Sequence, residues 1–255
     1  MPLVLSNDDG VHAEGLATLF EVLDERDGCV VVAPSGPQSG VGHAVTTRTA
    51  MRLEELSPRR FSLAGTPADC ARVALGRHGA FARNQLREHR ADSPLHGDSD
   101  EEIWMVSGIN HGANLGVDVF ISGTAAAARE AAILGFPAIA ISQYVGRHRT
   151  PDWTATAERA RPVLERLLGM RPRSGAFWNV NLPHPADESS NHELVFCPVD
   201  PSPHAFDYEH REGQLHWQSD FHSRPRVAGH DIDVCMQGRI SVSEIALGPG
   251  FEASI

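Results

Sequence analysis

The 255-residue chain reads as an α/β protein on a mostly parallel sheet, followed by a smaller β-rich C-terminal arm. Three observations carry this. Leu3-Val4-Leu5 and Cys29-Val30-Val31-Val32-Ala33-Pro34 are continuous apolar runs, as expected of strands covered on both faces. Between them Leu16, Leu19, Phe20 and Leu23 recur at helical spacing within Glu14–Asp24, completing a strand-helix-strand unit with parallel strands. Beyond Pro183 the text changes to Pro, His and Asp between short strand-like segments. The chain thus divides into a main domain, 1–185, and an arm, 186–255, that packs on it and on a partner subunit.

Bulk composition narrows the classes. A hydrophobic content of 41% against 22% charged residues suits a chain that buries a real core. The net charge of −11 argues against a basic face for duplex nucleic acid. No run approaches a membrane span, and residues 1–20 lack the basic start and apolar stretch of a signal peptide. Cys29, Cys70, Cys197 and Cys235 are scattered without a Cys-x-x-Cys, so a reduced cytoplasmic setting is expected. The fourteen histidines show no His-Glu-x-x-His spacing.

In chain order, the first strand stops at Ser6-Asn7-Asp8-Asp9-Gly10. Neighbouring side chains of a strand point to opposite faces, so Asp8 and Asp9 converge only in a turn. An isolated Asp-Asp-Gly is most often a solvated Asx turn. At the carboxyl end of a strand in an open sheet it is also where a hard cation is held. The small-residue loop 35–43 follows the second strand. Its Gly40-Val41-Gly42 lacks the third glycine and the helix of a dinucleotide fingerprint, which disfavours a dehydrogenase. Ala44 to Leu53 and Arg60 to Leu63 predict extended segments. Thr66 as N-cap, Pro67 and Asp69 predict a helix start. Arg77 to Glu102 is polar without period and predicts an exposed insertion over about 79–101.

Ile103 to Val106 predicts the next buried strand, running into a loop with Gly108, Asn110, Gly112, Asn114 and Gly116. Such a backbone approaches something closely. A short run, Val117 to Ile121, leads to Ser122-Gly123-Thr124 and a helix over Ala125 to Leu134. A helix start binds phosphate readily, although a Ser-Gly-Thr cap alone is usually just a cap. Pro137 to Ser142 is a strand. Thr150-Pro151 opens a helix whose Trp153, Ala157, Ala160, Leu164 and Leu167 form a core stripe. Ala176 to Leu182 reads as the last strand of the main sheet. In the arm, Leu194 to Val199, Gln214 to Gln218 and Arg239 to Ile245 are short strands suited to a hairpin embracing a partner.

Asp8-Asp9, Ser39 and Asn110 lie at three strand ends that a parallel sheet brings to one edge. Two carboxylates, a hydroxyl and an amide carbonyl suit Mg²⁺ or Mn²⁺ better than zinc. With Ser122-Gly123-Thr124 as a phosphate seat, the chemistry is metal-assisted phosphoester hydrolysis. The segments 6–12, Gln38-Ser39-Gly40 with Thr46, 65–70, Ser107-Gly108-Ile109-Asn110 with Gly112, Asn114 and Gly116, and 122–124 resemble the SurE family. These are survival-protein 5′/3′-nucleotidases, also described as acid phosphatases. The resemblance runs in order from residue 1 to about 182.

It implies a Rossmann-like three-layer sandwich with one divalent cation per subunit, Mg²⁺ or Mn²⁺, on Asp8, Asp9, Ser39 and Asn110. It also implies hydrolysis of nucleoside monophosphates, and homodimers or homotetramers joined through the C-terminal arm. The chain departs from the family pattern at Gln38, where a basic residue is common, in the longer insertion around 79–101, and at Gly229-His230-Asp231. Asp8, Asn7 and Asn110 are the catalytic candidates; Asn7, Asn114, Ser122, Gly123 and Thr124 are the phosphate contacts. Water attacking phosphorus in line and Asp8 as a covalent nucleophile both stay open. His12, His43 and His111 are candidate general acids. The rival reading is a nucleotide-binding regulatory protein that keeps the pocket without turnover, although a mere binder has no need of the full metal set.

Overall fold

Leu3–Ser6 (β1) and Cys29–Pro34 (β2) are buried along their whole lengths and pair in parallel. The computed structural model describes residues 1–24, 28–89, 101–184, 193–204 and 206–248. Between β1 and β2, Glu14–Leu23 (α1) buries Leu16, Leu19, Val22 and Leu23. There follow Leu53–Ser57 (β3), Arg60–Leu63 (β4), Pro67–His89 (α2), Trp104–His111 (β5), Gly123–Ile133 (α3) and Ala138–Gln143 (β6). Trp153–Leu168 (α4), Ala176–Leu182 (β7), Leu194–Phe196 (β8), Phe206–Arg211 (β9), Gln214–Ser219 (β10), Asp231–Met236 (α5) and Ile240–Ala246 (β11) complete the chain.

Nine strands form one sheet in the order β3-β4-β2-β1-β5-β6-β7-β11-β8. The six strands from β4 to β7 run parallel. Strand alternation sends Leu3 and Leu5 to one face, where they pack with Leu16 and Leu19 of α1 and Leu164 and Leu167 of α4. Val4 goes to the other face, against Cys70, Ala71 and Ala74 of α2 and the alanines of α3. Helices cover both faces, so the sandwich has three layers. Full burial of each such leucine contributes about 1.5–3 kcal/mol.

The chain leaves β1 for β2 on one side and later returns through β5 on the other. Strand order therefore reverses at β1, and a crevice opens at the carboxyl ends of β1 and β5, where such sheets bind ligands.

Several sequence expectations change. Residues 77–89 are not a loop: α2 continues through them, with Ala82 and Leu86 buried and Phe81 edge-on to Phe61 at 5.1 Å. Three apolar residues among many polar ones hide a helical period. Residues 90–100 of the expected insertion, and the boundary drawn at 185–186, lie outside the described residues. The first extended segment shrinks to β3, which pairs with β4 as a hairpin. The short run Val117 to Ile121 is mostly a 3-10 turn, over Gly116–Phe120. α4 opens at Trp153 rather than at Thr150-Pro151, and Asp152 caps it by accepting from the Ala155 N–H at 3.0 Å. β7 is not the last strand of the sheet, because β11 pairs antiparallel with it and β8 pairs with β11. The β9–β10 hairpin stands apart as a two-stranded sheet.

Candidate active site

The turn after β1 is closed by Asn7, whose Nδ2 donates to the Gly10 carbonyl at 3.0 Å while its Oδ1 accepts the Gly10 N–H at 3.2 Å. Asn7 is fully buried. Its amide is bonded to the turn at both ends, so it shapes the backbone that presents Asp8 and Asp9, and it is not among the residues that line the cleft.

Asp8 is buried at the N-terminus of α3, where the Thr124 hydroxyl donates to its Oδ1. A methyl group on Gly123 would stand 2.7 Å from the Asp8 Cβ, so only glycine lets the carboxylate come this close. Ser122 caps α3, its Oγ accepting from the Ala125 N–H at 3.0 Å. The helix start expected to seat a phosphate thus already holds a carboxylate of the protein. Thr124, fully buried, supports Asp8 instead of lining the cleft. Burial pushes the Asp8 carboxyl up to about 6; the Thr124 hydrogen bond works the other way, and the Asp9 charge adds to the rise.

Asp9 accepts the His111 backbone N–H at 3.0 Å, tying the β1 turn to the end of β5. Asn110 lies on β5 itself, past a register shift between Ser107 and Asn110, and not in a loop. Its Nδ2 donates to the Gly112 carbonyl at 2.7 Å, which leaves Oδ1 as the free end of the amide. Gly108 makes this course possible: with φ at 145°, a Cβ there would meet the Ile141 carbonyl at 2.2 Å. The Ser39 loop is clipped alongside by Gln38 N–H to the Asp8 carbonyl at 2.7 Å and Gly42 N–H to the Ile121 carbonyl at 3.1 Å.

Asp8, Ser39, Asn110, His111, Asn114 and Ser122 line one cleft of roughly 400 Å³, with Asp9 at its edge through His111. Among the described residues neither Asp8 nor Asp9 has an ion-pair partner. No group of three His, Cys, Asp or Glu able to hold a metal occurs among them either. The donor set is instead two carboxylates, an amide oxygen and an exposed hydroxyl. Adjacent carboxylates without a counter-charge, beside neutral oxygen donors, fit a hard divalent cation.

The three candidate histidines separate. His43 Nε2 lies 2.6 Å from Glu130, a fully buried carboxylate that also accepts from Arg72 Nε at 2.6 Å. Burial works against the Glu130 charge, but bonds from His43 and Arg72 hold its carboxyl below the usual range. His43 therefore fastens the Ser39 loop to α2 and α3 and is no proton donor to the cleft. His12 is exposed and does not line the cleft; His111 does.

A family model described as survival protein SurE matches residues 3–199. The chain belongs to the SurE family. A protein of Heliobacterium modesticaldum named 5′-nucleotidase SurE is 33% identical over 254 residues, covering 96% of this chain and 86% of that one. A protein of the same name from Methylobacterium radiotolerans is 39% identical over 192 residues, 73% of this chain and 68% of its own. The crystal structure of SurE protein from Aquifex aeolicus superposes with a TM-score of 0.76 at 25% identity, over 98% of this chain and 94% of that one.

Two groups of site residues escaped the sequence reading. Asn179 and Asn181, fully buried on β7, hold Asn114: both side chains donate to its carbonyl, at 2.9 and 3.1 Å, and Asn181 Oδ1 accepts its N–H at 2.8 Å. Two asparagines spaced by two in an otherwise apolar strand were the available signal. The second group, Asp118, His204, Trp217, Phe221 and Arg224, also lines the cleft. It comes from separate segments, which no local pattern joins.

Proposed function

We propose that this SurE-family chain is a metal-dependent 5′-nucleotidase hydrolysing nucleoside monophosphates to nucleoside and phosphate. One observation carries the reading: Asp8, Ser39 and Asn110, from three strand ends, line a single cleft whose second carboxylate, Asp9, is pinned to its edge. The names of the bacterial relatives support the activity. Asp8, Asp9, Ser39 and Asn110 would hold one Mg²⁺ or Mn²⁺, which supplies charge neutralisation at the phosphoryl oxygens.

The chain's own residues do the rest. Ser122 Oγ accepts from the Ala125 N–H, and its hydroxyl proton would bond a phosphate oxygen in the cleft. Asn114 Nδ2 donates to Ser142 Oγ at 2.8 Å. Exchanging the ends of that amide lets Ser142 donate to Oδ1 and turns Nδ2 toward the cleft, as a phosphate contact requires. His111 is the histidine placed to give the leaving alkoxide its proton. Asp8 stands at the cleft either as an ion ligand or as an attacking carboxylate.

The same proposal places the protein in the cytoplasm, supported by four free cysteines. It makes the protein a homodimer or homotetramer joined through the arm, supported by the β9–β10 hairpin, whose strands are exposed throughout. No described helix is long and apolar enough to cross a membrane. The test is phosphate release from AMP, GMP, CMP and UMP with Mn²⁺ or Mg²⁺, and again with chelator. Release that the chelator abolishes supports the reading; a protein that binds these nucleotides and releases none is the regulatory alternative.

A further inference from the structure

We infer that Trp217, on the β9–β10 hairpin, is the platform on which the nucleobase of the substrate stacks; this rests on the proposed nucleotidase reading and adds the subsite for the base. The hairpin places Phe206 and Tyr208 on one face of β9 and Leu215 and Trp217 on the same face of β10, with Trp217 directly opposite Tyr208. All four are exposed, Trp217 at 63%. Of the four, Trp217 alone lines the cleft that holds Asp8, Ser39 and Asn110. A phosphate seated on those residues leaves the rest of a mononucleotide to the remaining lining of the cleft, part of which the arm supplies through His204, Trp217, Phe221 and Arg224.

The remaining groups of that lining are mostly bonded to one another. Asp118 is already shared, one carboxylate oxygen accepting from Arg224 and the other lying 3.3 Å from His204 Nδ1. The Arg224 guanidinium sits 5.2 Å from the Phe221 ring centroid and is itself buried. Phe221 packs against Tyr144 at 5.9 Å and against His222. These contacts hold the side chains to one another and leave one donor over, Arg224 Nη2, which has no partner among the described residues, whereas the Trp217 indole is the large exposed apolar surface at the cleft. Stacking tolerates every base and grows with ring area, so purine nucleotides should bind more tightly than pyrimidine ones.

The test compares AMP with ribose 5-phosphate, the same phosphoester without a base. Trp217→Ala should raise KM for AMP by roughly five- to 150-fold, the range typical of base–aromatic stacking. It should weaken ribose 5-phosphate hydrolysis far less, so that preference for AMP over ribose 5-phosphate falls, and Trp217→Phe should restore most of the affinity for AMP. Equal losses on both substrates, or none on either, overturn the inference. Equal losses together with subunit dissociation in sedimentation assign Trp217 to an interface instead. A wild-type protein that hydrolyses neither ester defeats the nucleotidase reading, a separate failure. Adenosine binding tests the subsite without turnover: it should quench tryptophan fluorescence in the wild type but not in Trp217→Phe. Adenosine that binds the wild type without quenching contradicts the platform.

Discussion

Replacing Thr124 by valine keeps the shape of a fully buried side chain and deletes one bond, the hydroxyl donated to Asp8. A hydrogen bond to a charged group contributes about 1.5–3 kcal/mol, and outer-shell partners of metal ligands typically change ion affinity by about 10–100-fold. Asp8 has an Asp9 charge beside it, so losing its donor leaves the carboxylate less able to stay ionised and oriented. Titration calorimetry with Mn²⁺ should therefore show affinity weakened by about 10–100-fold, with Thr124→Ser close to wild type. Inhibition by product phosphate, measured at saturating Mn²⁺, should barely move. If Mn²⁺ affinity stays within about twofold while phosphate inhibition collapses, Thr124 is a phosphate contact and the placement of Asp8 over the α3 terminus is wrong.

Gly123→Ala puts a methyl 2.7 Å from the Asp8 Cβ and 3.1 Å from Pro67 Cγ. Overpacking of this kind costs about 1–3 kcal/mol, so calorimetry should show a melting point lower by several degrees, together with weakened Mn²⁺ binding. Glu130→Ala strips the buried partner from His43 and Arg72. Loss of one member of such a pair costs about 3 kcal/mol, read from urea unfolding, and more than the same change at exposed Glu54. The Asp8 carboxyl, raised to about 6 in the metal-free fold, sets a pH dependence. Its folded value exceeds its unfolded value, so metal-free stability should fall as pH rises from about 4 to 6 and level off above. Below about pH 6 Mn²⁺ must displace one proton, and its apparent affinity should drop about tenfold per pH unit. Asp8→Asn should lose the stability change, and a wild-type melting curve flat over that range would contradict the burial of Asp8.

Where function depends on strand ends, the sequence was informative. Leu3 to Leu5 and Cys29 to Pro34 are uniformly apolar because parallel strands are covered on both faces, and each stops at a polar turn that marks the sheet's carboxyl edge. Asp8, Asp9 and Ser39 lie just beyond those stops, and Asn110 lies near the end of β5. What local text could not show is which partner satisfies each polar group. Asn7 is consumed by Gly10, Thr124 by Asp8 and His43 by Glu130. Two of these contacts link residues 116 and 87 positions apart, and side-chain type alone is the same whether a hydroxyl meets a phosphate or a carboxylate. α2 was cut short for a related reason: tertiary contacts of Phe81 and Leu86 outweigh a polar, weakly periodic text. The sequence reads the arm as packing on the core, and β8 and β11 do so by extending the core's own sheet. Ile240 and Val242 are buried there, a burial that only the pairing with β7 creates.

The central claim is that an ion held at Asp8, Asp9, Ser39 and Asn110 governs hydrolysis of a nucleoside monophosphate. Its most direct measurement is a Mn²⁺ titration of AMP hydrolysis by chelator-stripped protein, with Asp8→Asn run in parallel. Phosphate release should rise from baseline to a plateau at one ion per subunit, and Asp8→Asn should stay at baseline while melting as a folded protein. Full release without added ion, or an Asp8→Asn protein that turns over like wild type, would contradict it.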